Sequence, residues 1–431
     1  MARVTPQPSL ALCSFSYGTT NGIARMDQIL ATGLKSAGFS VEHFVIQLHG
    51  PFEAPEAGDI RFLELDQAYK ILREEFERTD AVLFNGSLDP CVTFAASEAG
   101  VPVLAEIMHQ NERGGMYDAV DCVVCVSDFV REKQTHPSCA VIPNGIDLER
   151  FRFKPGRRDE QTAHIVQIAN QSKPLHFSLD GLIPDILGSH PNTRFTALGG
   201  RTLAAHPALA AVSAQNDMET VYHEADLNFL ACKNDAFGLT LLEGMACGCL
   251  PVGSTDGGAR EFIRHGETGW LVQGNRNDWL DALGGALKKL GGPEHLNMQE
   301  RAREQVAALY SREKCIERYV QLLGKLSAKF PGRRKRTAPQ AWRPLMEAAF
   351  LAGHDLNSAV SRVATFVLQD KTLEPELFKH PNGPEVLSRV MQMLLGLENS
   401  QIKSLLSAFC LLLRRSRVQG DLIDALEAKA K

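Results

Sequence analysis

Residues 227–253 constrain the fold more than any other stretch. An apolar segment at 227–231 leads through the polar loop Lys233-Asn234-Asp235 into Leu239, Leu242, Met245 and Ala246. These are spaced for one face of a helix that Gly248 would stop, and a second apolar segment follows at 250–253. Strand, loop, helix and strand in that order imply parallel strands, which need a crossover between them.

The same alternation recurs along most of the chain. Runs at 9–15, 40–47, 81–85, 101–107 and 122–127 predict one parallel sheet with helices on both faces. Runs at 164–169, 194–198, 227–231, 250–253 and 269–272 predict a second. Between them, Pro143 with Asn144-Gly145 reads as a turn needing positive φ at Asn or Gly, and the polar run 154–160 as a linker. At 431 residues the chain is too long for one core. The expected domains are 1–153, 160–310 and 340–431. A helical stretch at 298–326 breaks near Tyr310-Ser311. The run Arg333-Arg334-Lys335-Arg336 reads as a solvated linker, with a lipid-headgroup contact as the lesser alternative. Four or five further helices follow it.

The loop at 235–239 carries the first chemical signal. A helix start leaves the amides of Phe237, Gly238 and Leu239 without intrahelical partners, and Gly238 permits close approach to the backbone. That is an anion site. Asp235 lies before the helix and Glu243 about one turn inside it, roughly 6 Å further along the axis. A second glycine turn, Gly257-Gly258, would add amides facing the same anion. In the first domain, the loop 16–22 ends in Asn21-Gly22 before a helix with Ile23, Met26, Ile29 and Leu30 inward. Asn85 and His109 stand at strand ends, where ligand groups collect.

The segment 234–248 resembles the acid-x7-acid signature of family 4 retaining glycosyltransferases, in which Phe-Gly-Leu and Leu-Glu-x-Met-Ala-x-Gly surround the second Glu. The resemblance extends over about residues 8–329 and implies that the last helix of this span, about 312–329, crosses back to the first domain. It implies an α/β chain of the GT-B fold: two doubly wound Rossmann-like domains facing a cleft, here followed by an all-α extension. It also implies transfer of a sugar from a nucleotide-diphosphate-sugar donor, without metal or other cofactor. Asp235, Glu243 and His109 would be the catalytic set, Glu243 holding the ribose hydroxyls. Gly22, Asn170, Lys173, Phe237, Gly238, Leu239, Thr240, Gly257 and Gly258 would bind substrate. The sequence departs from the pattern twice. Asp235 stands where the family has Glu, and the Arg expected five residues before Lys173 is Ile168, so that Arg201 or Arg260 would have to substitute. Two other readings stay open: a nucleotide-sugar-binding module that acts as a scaffold, and an epimerase of the same fold.

Composition narrows the partners. A net charge of -5 gives no electrostatic case for nucleic acid. The ten cysteines are scattered, and Cys122 and Cys125 fall within an apolar strand, which suits core packing and a reducing cytoplasm better than a metal site. No signal peptide is expected at the start, and the apolar run 408–413 is far short of the roughly 20 residues that span a bilayer. The expectation is a cytoplasmic protein, at most peripheral to a membrane, with the helical tail serving self-association or docking. The acceptor, whether sugar, lipid or protein, is not legible.

Overall fold

A computed structural model of the chain describes residues 7–14, 22–47, 60–86, 90–109, 120–156, 161–168, 174–199, 203–212 and 217–336. Asn170, Lys173, Arg201 and the expected extension 340–431 lie outside these residues.

Seven parallel strands form the first sheet: β1 (Ser9–Ser14), β2 (Ser40–Gln47), β3 (Ile60–Glu64), β4 (Ala81–Asn85), β5 (Val103–Met108), β6 (Cys122–Cys125) and β7 (Cys139–Val141). Their spatial order is β3-β2-β1-β4-β5-β6-β7. The second sheet holds β8 (Ala163–Ile168), β9 (Thr193–Leu198), β10 (Leu209–Val212), β11 (Leu227–Leu230), β12 (Leu250–Ser254) and β13 (Trp270–Val272), in the order β10-β9-β8-β11-β12-β13. Both sheets reverse direction once, between β1 and β4 and between β8 and β11, and ligands of such sheets bind beyond the strand ends at that point. Central strands are apolar at nearly every position because both faces are covered, and all of β4, β5 and β6 is buried.

The strands absent from the runs read in the sequence, β3, β7 and β10, are edge strands. Their residues carry less of the core: Arg61, Ala210 and Ala211 are exposed. The helices are α1 (Gly22–Ser36), α2 (Leu65–Phe76), α3 (Pro90–Ala99), α4 (Asp128–Arg131), α5 (Leu179–Ser189), α6 (Met218–His223), α7 (Leu239–Cys247), α8 (Arg276–Lys289), α9 (Pro293–Tyr310) and α10 (Arg312–Lys329). The break between α9 and α10 falls at Ser311, which caps α10 by accepting from the Lys314 amide at 3.3 Å. α10 then crosses to the first sheet and packs on α1, where a Cβ on Gly33 would lie 2.3 Å from Ile316 Cγ1.

Two expectations are corrected. Neither Asn144 nor Gly145 has positive φ. Gly145 is needed for space instead, since a Cβ there would stand 2.8 Å from the Arg312 Cα where the two crossing segments meet. There Ile146 donates to Tyr310 O at 2.8 Å and accepts from Arg312 N at 2.9 Å. The basic run is no solvated linker. Arg333 donates to the carbonyls of Phe76 and Ala99, both at 2.9 Å, and Arg336 to those of Val101 and Pro102 at 2.8 and 3.0 Å. Arg334 and Arg336 both pair with the buried carboxylate of Asp121. These arginines satisfy helix-end and loop carbonyls beneath the first sheet.

Candidate active site

α7 begins at Gly238, which caps it with φ 87°, and ends at Gly248, φ 92°, both in the left-handed region. The expected stop at Gly248 holds. The helix is not one-sided, however, for Leu241 through Cys247 are all buried. Glu243 is therefore not a solvated position: it is 2% exposed. Its Oε1 accepts from Arg25 Nη1 of α1 at 2.7 Å and its Oε2 from the Tyr222 hydroxyl of α6 at 2.9 Å. Burial raises the carboxyl above its ordinary value, and the Arg25 and Tyr222 contacts oppose that rise. Arg25 belongs to the first sheet's layer, so this carboxylate sits at the contact between the two halves. A cavity of about 800 Å³ opens there, lined by Arg25, Met26, Leu239, Glu243, Arg150 and Arg312 among others. Gly22 meets Leu239 at the same contact, with a Cβ position 3.3 Å from Leu239 Cδ2.

The two glycine turns do come together, but mostly on each other. Asp235 Oδ1 accepts from the amides of Phe237 at 3.2 Å and Gly238 at 2.8 Å, so Asp235 caps its own turn. Gly258 N donates to Asp235 O at 2.9 Å. The picture of two open amide clusters is thus corrected: three of the expected donors have internal partners. What remains is the start of α7, where the amides of Leu239 and Thr240 precede the first i to i−4 bond. Thr240 O accepts from Asn228 Nδ2 at 2.7 Å. Phe237 turns its ring inward against Phe262 and Tyr310.

The turn after β12 carries Glu261. Its carboxylate accepts from Asp128 N and Phe129 N at 3.0 and 2.8 Å, capping α4 of the other half. Ser127 Oγ donates to Ala236 O at 2.5 Å, and Arg260 pairs with Glu132 at 2.5 Å. Arg260 is accordingly engaged across the halves. Both turns are tightly apposed. A Cβ on Gly258 would lie 2.4 Å from Ala236 O and 2.6 Å from Phe237 Cα, so Gly258→Ala should force the turns apart. The expected result is a loss of about 1–3 kcal/mol, as for other overpacked sites, read as a lower denaturation midpoint.

His109 sits beyond β5 with its Nε2 2.5 Å from Asn85 Oδ1. Burial pushes it down to about 4, so the ring is neutral. Asn85 in turn donates to Asp27 Oδ1 at 2.5 Å. Asp27, fully buried on α1, is pushed up from 3.8 to about 7, chiefly by burial, against the hydrogen bonds from Asn85 and Ser14. Because the folded value exceeds the unfolded one, the stability linked to this group is present in full below about pH 4 and is lost as the pH rises through about 7. Asp27→Asn should remove that loss, so calorimetry above neutral pH should show it melting higher than the wild type.

Sequence reasoning missed Arg25, Tyr222 and Asp27. Arg25 had a readable signal, a cation three residues after Gly22 in the first turn of a helix that starts at the strand ends. Tyr222 and Asp27 had none, as their partners lie 21 and 58 residues away.

Two facing parallel α/β layers with an acid-bearing helix at their contact define the GT-B architecture. Among solved structures, a glycosyltransferase from Rickettsia africae matches with a TM-score of 0.60, covering 74% of this chain and 98% of that one at 18% identity. HepE from Anabaena in complex with UDP and glucose matches with a TM-score of 0.58, covering 73% and 99% at 13% identity. Residues 206–305, which include Asp235, Glu243, Gly257 and Gly258, match the family described as glycosyl transferases group 1. The fold is thus of the GT-B type, as the resemblance implied. N-acetyl-alpha-D-glucosaminyl L-malate synthase from Bacillus anthracis is 38% identical over 106 residues, 24% of this chain and 27% of its own length. D-inositol 3-phosphate glycosyltransferase from Mycobacterium ulcerans is 29% identical over 198 residues, 39% and 41% of the two lengths. The chain thus spans about a quarter to two fifths of these curated relatives.

Proposed function

We propose that this protein transfers a sugar from a nucleotide-diphosphate-sugar donor, with retention at the anomeric carbon and without a metal, to an acceptor that is a sugar, a lipid or a protein. The observation that carries the proposal is Glu243, a buried carboxylate at the contact between the halves that lines an 800 Å³ cavity. A volume of that size suits a small-molecule ligand. An ionised carboxylate only accepts, and with two oxygens it has about four lone-pair sites, so ribose hydroxyls can bind beside Arg25 and Tyr222. The start of α7 offers its dipole and the Leu239 and Thr240 amides to the diphosphate. Asp235, buttressing the turn, acts near the sugar, while Asn170, Lys173, Gly257 and Gly258 serve the diphosphate side. UDP is the first nucleotide to try, because HepE is described in complex with UDP and with UDP-glucose.

The test is calorimetric titration with UDP and other nucleoside diphosphates, then turnover of a donor panel with and without acceptors and with EDTA. Product anomers read by NMR decide retention. Donors that neither bind nor turn over would sink the proposal. A second reading, a nucleotide-sugar-binding scaffold with little transfer, is favoured by the internal partners of the Phe237, Gly238 and Gly258 amides. It predicts binding without turnover.

No helix among the described residues is long and apolar enough to cross a membrane. A cytoplasmic location, with peripheral membrane contact at most, belongs to the same proposal and is checked by fractionation. The tail's role in self-association is checked by the oligomeric state with and without residues 337–431.

A further inference from the structure

The row of polar groups on the first half does more than fill space. Asn85 stands between Asp27 and His109, and an amide has one accepting side and one donating side. Its Nδ2 faces Asp27 Oδ1 at 2.5 Å and also the Ile23 carbonyl at 3.4 Å, which can only accept. The two acceptors agree on the amide's orientation. Oδ1 is left facing His109 Nε2, so that ring nitrogen must donate.

We propose that Asp27 and Asn85 are positioning residues that hold His109 as its Nε2–H tautomer, leaving Nδ1 as the ring's acceptor for a hydroxyl of the bound sugar. The role given to the sugar rests on the glycosyltransferase reading; the tautomer does not. Burial keeps the ring neutral, so the accepting nitrogen stays available. Asp27 is an odd residue for its place, a carboxylate at 0% exposure on a helix face otherwise occupied by Ala24, Met26, Leu30 and Leu34. Its Oδ2 has no hydrogen-bond partner, and the His43 Nε2, likewise unpartnered, lies 3.9 Å away. An unpaired buried oxygen carries a desolvation cost, which a role in orienting the amide would explain.

The experiment uses the full chain, nitrogen-15 labelled, with His109→Gln to assign the ring. Long-range nitrogen–proton spectra should show His109 as Nε2–H in the wild type, without titration through the ordinary histidine range. Asp27→Asn keeps the shape but can offer Asn85 a donor or an acceptor, so both tautomers should appear. Asn85→Ala removes the link altogether. In each variant, UDP-glucose turnover should fall about tenfold or more, as when the orienting partner of a functional histidine is lost, while UDP affinity stays within about twofold. A wild-type Nδ1–H ring, an unchanged tautomer in Asp27→Asn, or full turnover despite a shifted tautomer would each overturn the proposal. A shifted tautomer in a protein that binds no UDP would uphold the tautomer link and overturn the sugar-contact half, along with the donor reading.

Discussion

Glu243→Gln is expected to weaken UDP binding by roughly ten- to a hundredfold, because each hydrogen bond to a charged group contributes about 1.5–3 kcal/mol. The substitution keeps the shape and the Tyr222 contact but removes the charge opposite Arg25, 13% exposed and 2.7 Å away. The uncompensated guanidinium should also loosen the contact between the halves. Donor turnover should therefore fall further than binding does. Equal binding and turnover in the variant would take Glu243 out of the nucleotide site, and calorimetry beside a donor assay reads both. Arg25→Ala separates the two roles: it frees one carboxylate oxygen, so UDP affinity should hold or rise while the halves part more easily.

Asp121→Ala is the second large effect. One carboxylate, 6% exposed, pairs with two guanidiniums, of which Arg336 is only 3% exposed. Removing the shared partner strands charge that burial already disfavours, as the lowering of Arg336 to about 10 shows. Breaking a buried pair from one side costs about 3–5 kcal/mol, and Arg334, a third exposed, brings the expectation towards the lower figure. Urea denaturation measures it. Donor binding should be spared, since Asp121 lies at the opposite end of the sheet from His109.

The central strands were legible because a strand covered on both faces is apolar at nearly every position, and β2 and β4 begin and end where the pattern said. Edge strands escaped for the converse reason. Ile60–Glu64 carries two charges in five residues, as an edge permits. The acid pair was legible in position and only half legible in role. Asp235 caps amides two and three residues ahead, a local habit of Asp that the spacing itself announced. Glu243 needed Arg25, 218 residues away, and no local pattern reveals such a pairing. The arginine run failed likewise: a cluster of cations reads as solvated until the carbonyls it serves, more than 200 residues back, are brought beneath it.

That arginine strap has an architectural result. It binds the loops that lead into β4, β5 and β6, whereas Asn85 and His109 stand where β4 and β5 run out. Arg336 itself is moored to the floor of the first layer, a full strand length from the end where Asn85 and His109 stand. A module hung there can recruit or anchor the protein without its root obstructing that opposite end.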